Sequence, residues 1–170
     1  MKLPVALALV IGIVGGILTY LYVGPLSALG LFIPATFLGA ASFFAAGGDL
    51  EALKKSVPAT VWGVAWATLA LILIGLTTSP LMIGVIVGGL TLVMILGALL
   101  PALAFVPGHV IGYASTAAFG LLSGASGTDF SLPTGPFTVM AISFVLGGLY
   151  GYLSSILVGR LMASRSTQAA

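Results

Sequence analysis

The chain has 170 residues, 60% of them hydrophobic and 5% charged, with five cations, three acids, one histidine and no cysteine. A soluble domain carries about a quarter charged residues because its surface faces water, so most of this surface must face something apolar. The net charge of +2 is too small and scattered for a nucleic-acid footprint, and the lack of cysteine excludes disulfides and thiolate metal sites.

The mean hydropathy of +1.29 and 24 glycines fit membrane-embedded helices, in which glycine is frequent and permits close approach. With one histidine and three carboxylates, neither a metal cluster nor a cofactor is expected. The lipid bilayer is the first expected partner.

About 20 apolar residues cross the hydrocarbon core. The first run follows Met1-Lys2-Leu3-Pro4 and superficially suggests a signal peptide. It lacks a polar, small-residue cleavage site and continues through Tyr20 and Tyr22, so it reads as a first span over 4–23. A second span covers 27–46. Asp49 and Glu51 followed by Lys54 and Lys55 predict a short interfacial helix whose charges complement its dipole. The third span, 58–77, carries Trp62 and Trp66 and ends at the turn Thr77-Thr78-Ser79-Pro80. Three more spans follow at 81–100, 105–123 and 136–159, before a short polar tail at 161–170.

Lys and Arg favour cytoplasmic loops. Six spans bring Lys2, Lys54, Lys55, Arg160 and Arg165 to one side, while the opposite loops hold no cation and one acid, Asp129. Both termini are therefore expected in the cytoplasm.

The two halves resemble each other. Displaced by 73 positions, Ile13-Val14-Gly15-Gly16 falls on Ile86-Val87-Gly88-Gly89, and the stretch from Phe32 to Gly47 matches Phe105 to Gly120 at seven of 16 places. Past the loops the displacement becomes 75, where Pro58, Trp62, Val64 and Thr68 face Pro133, Phe137, Val139 and Ser143. A repeat of three spans must sit upside down in its second copy. The expected fold is all-α membrane: six transmembrane helices as two inverted three-helix repeats, about 1–78 and 79–160, in a single membrane domain over 1–170.

Inverted repeats are common in transporters, with sites near the midplane at the repeat interface. On span five, His109, Gly112, Tyr113, Thr116 and Gly120 share one helical face, and their counterparts on span two are Thr36, Gly39, Ala40, Phe43 and Gly47. Thr36, Gly39, Phe43, His109, Gly112, Tyr113 and Thr116 are therefore the candidate pore or solute-binding residues. The same pattern of small and polar residues also serves tight helix packing. His109 is the one ionisable side chain away from span ends and loops; it fits either a functional site or a neutral, hydrogen-bonded structural role. Pro34 and Pro107 read either as mid-span breaks or as helix starts.

Asp49, Glu51 and Asp129 lie at span ends, which fits passive conduction better than proton- or sodium-driven transport. Gly147, Gly151, Ser155 and Gly159 form a small-residue ridge open to two uses, homo-oligomer contact or intrachain packing. No nucleophile–base pair, phosphate loop or nucleotide fingerprint appears, so no enzyme is expected.

At Phe105-Val106-Pro107-Gly108 with Gly112 and Ala114, and at Phe37-Leu38-Gly39 ahead of Phe44-Ala45, the chain resembles domain-of-unknown-function family 1097, the YcdZ-type small bacterial inner-membrane proteins. The resemblance implies a bacterial inner membrane and no activity. Leu132-Pro133-Thr134-Gly135-Pro136-Phe137 is similar to a Leu-Pro…Thr-x-Pro-Phe element of urea transporters, differing in the spacing of Pro133 and Thr134. The expected function is a passive channel or facilitator, working as an oligomer, for a small uncharged or weakly polar solute such as urea or an amide. The alternative is a non-transporting scaffold or regulatory subunit.

Overall fold

The computed structural model describes residues 2–167, with six α-helices and no strand among them. They are α1 (Leu3–Val23), α2 (Ile33–Ala45), α3 (Leu50–Ile74), α4 (Pro80–Leu96), α5 (Val106–Ser123) and α6 (Pro136–Thr167). Single 3-10 turns occur at Ser27–Leu29, Gly97–Leu99 and Pro101–Leu103. Proline stands in the first turn of α1, α2, α4 and α5 and opens α6. Its missing N–H removes nothing there, because the first amides of a helix have no intrahelical acceptor. Pro34 and Pro107 thus start helices rather than break them.

Four helices are long and apolar enough to cross a membrane: α1, α3, α4 with its 3-10 continuation to Leu99, and α6. The chain is accordingly a helical membrane protein. With 13 residues, α2 reaches about 20 Å, short of a hydrocarbon core of about 30 Å. The 27–46 span expected from sequence is not continuous helix. Its first part is a 3-10 turn ended by Gly30 at φ 61°, whose missing side chain leaves room for Pro133 of the loop over 124–135. Phe32 then donates its N–H to the Ser143 hydroxyl of α6 at 2.9 Å, pairing one of the amides that the start of α2 leaves without an intrahelical acceptor.

The segment from Asp49 to Lys55 is not a separate interfacial helix; its last six residues are the first turns of α3. Asp49 caps this helix, its Oδ1 accepting the Ala52 N–H at 2.7 Å, a stabilisation of about 1 kcal/mol. Pro58 interrupts only the bond to the Lys54 carbonyl, near the charged, exposed end. At the other terminus α6 runs through the expected tail as far as Thr167, and 168–170 lie outside the described residues.

The bundle centres on α3 and α6. Helix α5 lies along α3 and α2 along α6, while α1 packs on α6 and α4 on α3. Both central pairings are parallel: contacts advance from Gly108–Ala59 to Gly120–Leu71 in one, and from Phe32–Ser143 to Gly48–Ser155 in the other. Ala35, Val64, Met140 and Phe144 form the fully buried core between them. Helix α1 is antiparallel to α6, with Ala6, Val10 and Val158 buried together. Only Met94 of α4 is fully buried; others, Leu90, Thr91 and Ile95 among them, are partly covered, and most of that helix faces outward.

This packing gathers Lys2, Lys54, Lys55 and Arg160 toward one end of the bundle and Asp129 toward the other. Arg165 continues α6 beyond Arg160, but its side chain lies outside the described portion.

Asp129 organises the loop at its end. Its carboxylate accepts the Ser131 N–H at 2.8 Å, the Ser131 hydroxyl at 2.6 Å and the Thr134 hydroxyl at 2.6 Å. These bonds, the Ser131 hydroxyl first, hold its pKa below the usual 3.8. A depressed carboxylate contributes stability above its unfolded pKa and loses it as pH falls through the folded one. Amide-exchange protection at Ser131 should therefore be constant from pH 7 down to the ordinary carboxylate range and fall only below it. Asp129→Asn should remove the pH dependence.

Candidate functional site

Two glycine-lined crossings define the interior. On α2 and α6, a Cβ at Gly39 would stand 2.8 Å from the Phe144 carbonyl oxygen and 3.1 Å from the Gly147 Cα, while one at Gly147 would overlap the Thr36 carbonyl. On α3 and α5, Gly112 lies against the Thr60 carbonyl and Gly63 against the His109 carbonyl. With no side chain between them, the backbones come close enough for Cα–H···O contacts. Gly151 likewise receives the Phe43 ring, 2.6 Å from its would-be Cβ.

All seven residues expected to line a path have defined places. Thr36, Gly39 and Phe43 are buried on α2, and His109, Gly112 and Thr116 on α5, with Tyr113 half-buried beside them. The two sets do not face each other: Gly39 turns to α6 and Gly112 to α3.

Thr36 and His109 occupy matching positions in the two halves, with different surroundings. The Thr36 hydroxyl is bonded to the Tyr22 hydroxyl of α1 at 3.1 Å. His109 is completely enclosed. The carbonyls of Met94 and Leu103 are near its ring, yet neither nitrogen reaches hydrogen-bond geometry. The Tyr113 hydroxyl approaches Thr91 of α4 and is likewise unpartnered, as is the Thr116 hydroxyl. A buried polar atom left unpaired costs about 1–3 kcal/mol. Four such atoms on one helix therefore carry a considerable penalty unless something pairs with them.

Tyr22, Trp62, Thr91, Met94 and Leu103 belong to these surroundings and were not expected from the sequence. Trp62 donates its indole N–H to the Met94 carbonyl at 3.0 Å, tying α3 to α4. Tyr150 donates its hydroxyl to the Ile11 carbonyl at 2.7 Å, tying α6 to α1. The acceptors are backbone groups with no side-chain signature; the aromatic donors were the only available signal.

A recess of about 500 Å³ opens between the C-terminal ends of α3 and α5 and the following loop, lined among others by Leu71, Gly120, Gly124, Ser126 and Thr128. Smaller ones of about 300 and 190 Å³ lie beside Phe119 and beside Tyr150. None of the seven expected residues lines any of the three. Among the described residues, no three His, Asp or Glu side chains come together as metal ligands would.

The crossings make a direct prediction. Gly147→Ala and Gly112→Ala insert a methyl group against backbone and should each cost about 1–3 kcal/mol. Gly16→Ala, which meets nothing within 4 Å, should change stability by less than about 0.5 kcal/mol. Reversible unfolding in mixed micelles measures all three.

No curated protein and no solved structure matches the chain. A family model described as "Protein of unknown function (DUF1097)" matches residues 8–159. With nearly the whole helical bundle inside that match, the chain belongs to the DUF1097 family.

Proposed function

We propose that the protein is a passive conduit for a small uncharged solute. In this reading all six helices are embedded in a bacterial inner membrane, as two inverted three-helix halves with both termini cytoplasmic. The supporting observation is the pairing of the two crossings. Exchanging the halves turns α2 against α6 into α5 against α3, α1 against α6 into α4 against α3, and Gly39 with Gly147 into Gly112 with Gly63.

This exchange revises the register expected for the third helix of each half. Gly63 corresponds to Gly147 and Thr60 to Phe144, a displacement of 84 rather than 75. At 84, Val61, Leu69, Ile72, Leu73 and Gly75 meet identical residues, Val145, Leu153, Ile156, Leu157 and Gly159. The greater length of α5 and the long loop over 124–135 together take up the difference from 73.

Transport is favoured over a packing role because four buried polar atoms without partners are concentrated on α5, against one each on α2, α3 and α6, and packing alone does not require such a concentration. The absence of carboxylates from the interior of the helices favours passive flux of a neutral solute. The Leu132 to Phe137 element puts urea and small amides first on the list. Open glycines at Gly84 and Gly88 of α4 and at Gly12 and Gly16 of α1 are where a second copy would approach, supporting a homo-oligomer.

Proteoliposome swelling across urea, small amides, glycerol, ammonia and formate tests the proposal. At least one neutral solute should enter faster than into protein-free vesicles. Thr116→Val, which removes an unpartnered hydroxyl while keeping shape, should reduce that flux several-fold with the fold intact. Silence across the panel, with a co-purifying membrane partner, would establish the scaffold reading instead.

A further inference from the structure

The unpartnered groups on α5 are not scattered. His109 and Tyr113 are one helical turn apart, on the same side of α5. Their opposite numbers on α4, Met94 and Thr91, are also one turn apart, so the two helices form an antiparallel seam with polar groups on both sides. The first half has no such set of unpaired groups between α1 and α2. There the residue matching His109 is Thr36, already bonded to Tyr22. The equivalence of the halves is broken at this place: α5 carries four unpartnered buried polar atoms, whereas α2, α3 and α6 carry one each, at Ser42, Ser56 and Ser154.

We propose that the seam between α4 and α5, at His109, Tyr113, Thr91 and the carbonyls of Met94 and Leu103, is the binding site for a small neutral amide or amine such as urea or ammonia. The groups present select that chemistry. The two carbonyls only accept hydrogen bonds, one nitrogen of a neutral imidazole accepts, and the hydroxyls of Tyr113 and Thr91 accept as well as donate. The surroundings therefore offer more acceptors than donors, and the best complement is a molecule with more N–H groups than lone pairs. His109 is completely enclosed and none of the three recesses reaches it, so the lightly packed α4 has to yield to admit an occupant, and only one of a few heavy atoms fits. Trp62 positions the site, because its bond to the Met94 carbonyl fixes the α4 backbone opposite the imidazole. Thr116 lies further along α5 as the next hydroxyl. As the resting place of a transported solute, the site rests on the conduit reading above; as a binding site it does not need flux.

The chain has a single histidine, so ring-¹⁵N-labelled histidine gives one residue's signals without assignment. In wild-type protein in lipid nanodiscs, urea and ammonia should shift both imidazole nitrogens saturably, and glycerol should not. Trp62→Phe should weaken the urea and ammonia response at least several-fold while the ring signals stay single and sharp. Ring signals that no probe moves, with contacts to Met94 and Leu103 alone, would overturn the site. So would exchange cross-peaks to water that urea and ammonia leave unchanged, because the seam would then hold only water. Probe-dependent shifts in a protein without flux would keep the site and remove the conduit. Flux with an indifferent imidazole would do the reverse.

Discussion

Contact between backbones at glycine is the constraint on which the rest of this bundle depends. Inside a bilayer, lipid is as apolar as leucine, so helices gain little from burying side chains against one another. What distinguishes a partner helix from lipid is close packing and polar contact. At Gly39–Gly147 and at Gly63–Gly112 the side chains are absent and carbonyl oxygens of the neighbouring helix occupy their place. These two crossings fix α2 on α6 and α5 on α3. The central pair carries the core of Val64, Met140 and Phe144, and the peripheral helices attach to it through Trp62 and Tyr150.

The same crossings decide where a solute is able to go. Gly39 and Gly112 are filled by backbone, so the stripe of small residues leaves no lumen between α2 and α5. Most of the buried polar groups without partners lie on α5, and His109 and Tyr113 among them stand beside α4. That helix is the least buried of the six and is held by few groups, so small movements of it would open or close the seam without disturbing the crossings. A rigid centre with a lightly held peripheral helix is the arrangement the proposed passive conduction calls for, in which a solute must enter and leave without strong binding.

Much of this was legible in the sequence, for identifiable reasons. Proline marks the helix starts because an orphan amide tolerates it, and the 3.6-residue period marks His109, Gly112 and Thr116 as buried and Val110 and Leu121 as exposed, while Ile111, which it also turns outward, packs against the core. The period shows which face is buried but not what covers it. Helix α5 pairs with α3, whose contribution is the Thr60 carbonyl, and a carbonyl has no residue type. The late start of α2 and the start of α3 ahead of Pro58 are marked by Ser143 and Asp49, each through a single hydrogen bond. Family membership covers residues 8–159 and carries no assigned activity, so the role proposed for the seam rests on its chemistry alone.

The central claim is that the two halves are clasped in opposite orientations. It is tested most directly by the side of the membrane on which equivalent loops emerge. The chain has no cysteine, so Glu51→Cys, at the start of α3, and Thr128→Cys, in the loop before α6, each supply one thiol. In intact cells a membrane-impermeant maleimide should label position 128 and spare position 51, and in inside-out vesicles the pattern should reverse. Labelling of both positions from the same side would contradict the inverted arrangement, and with it the account of how the bundle is built.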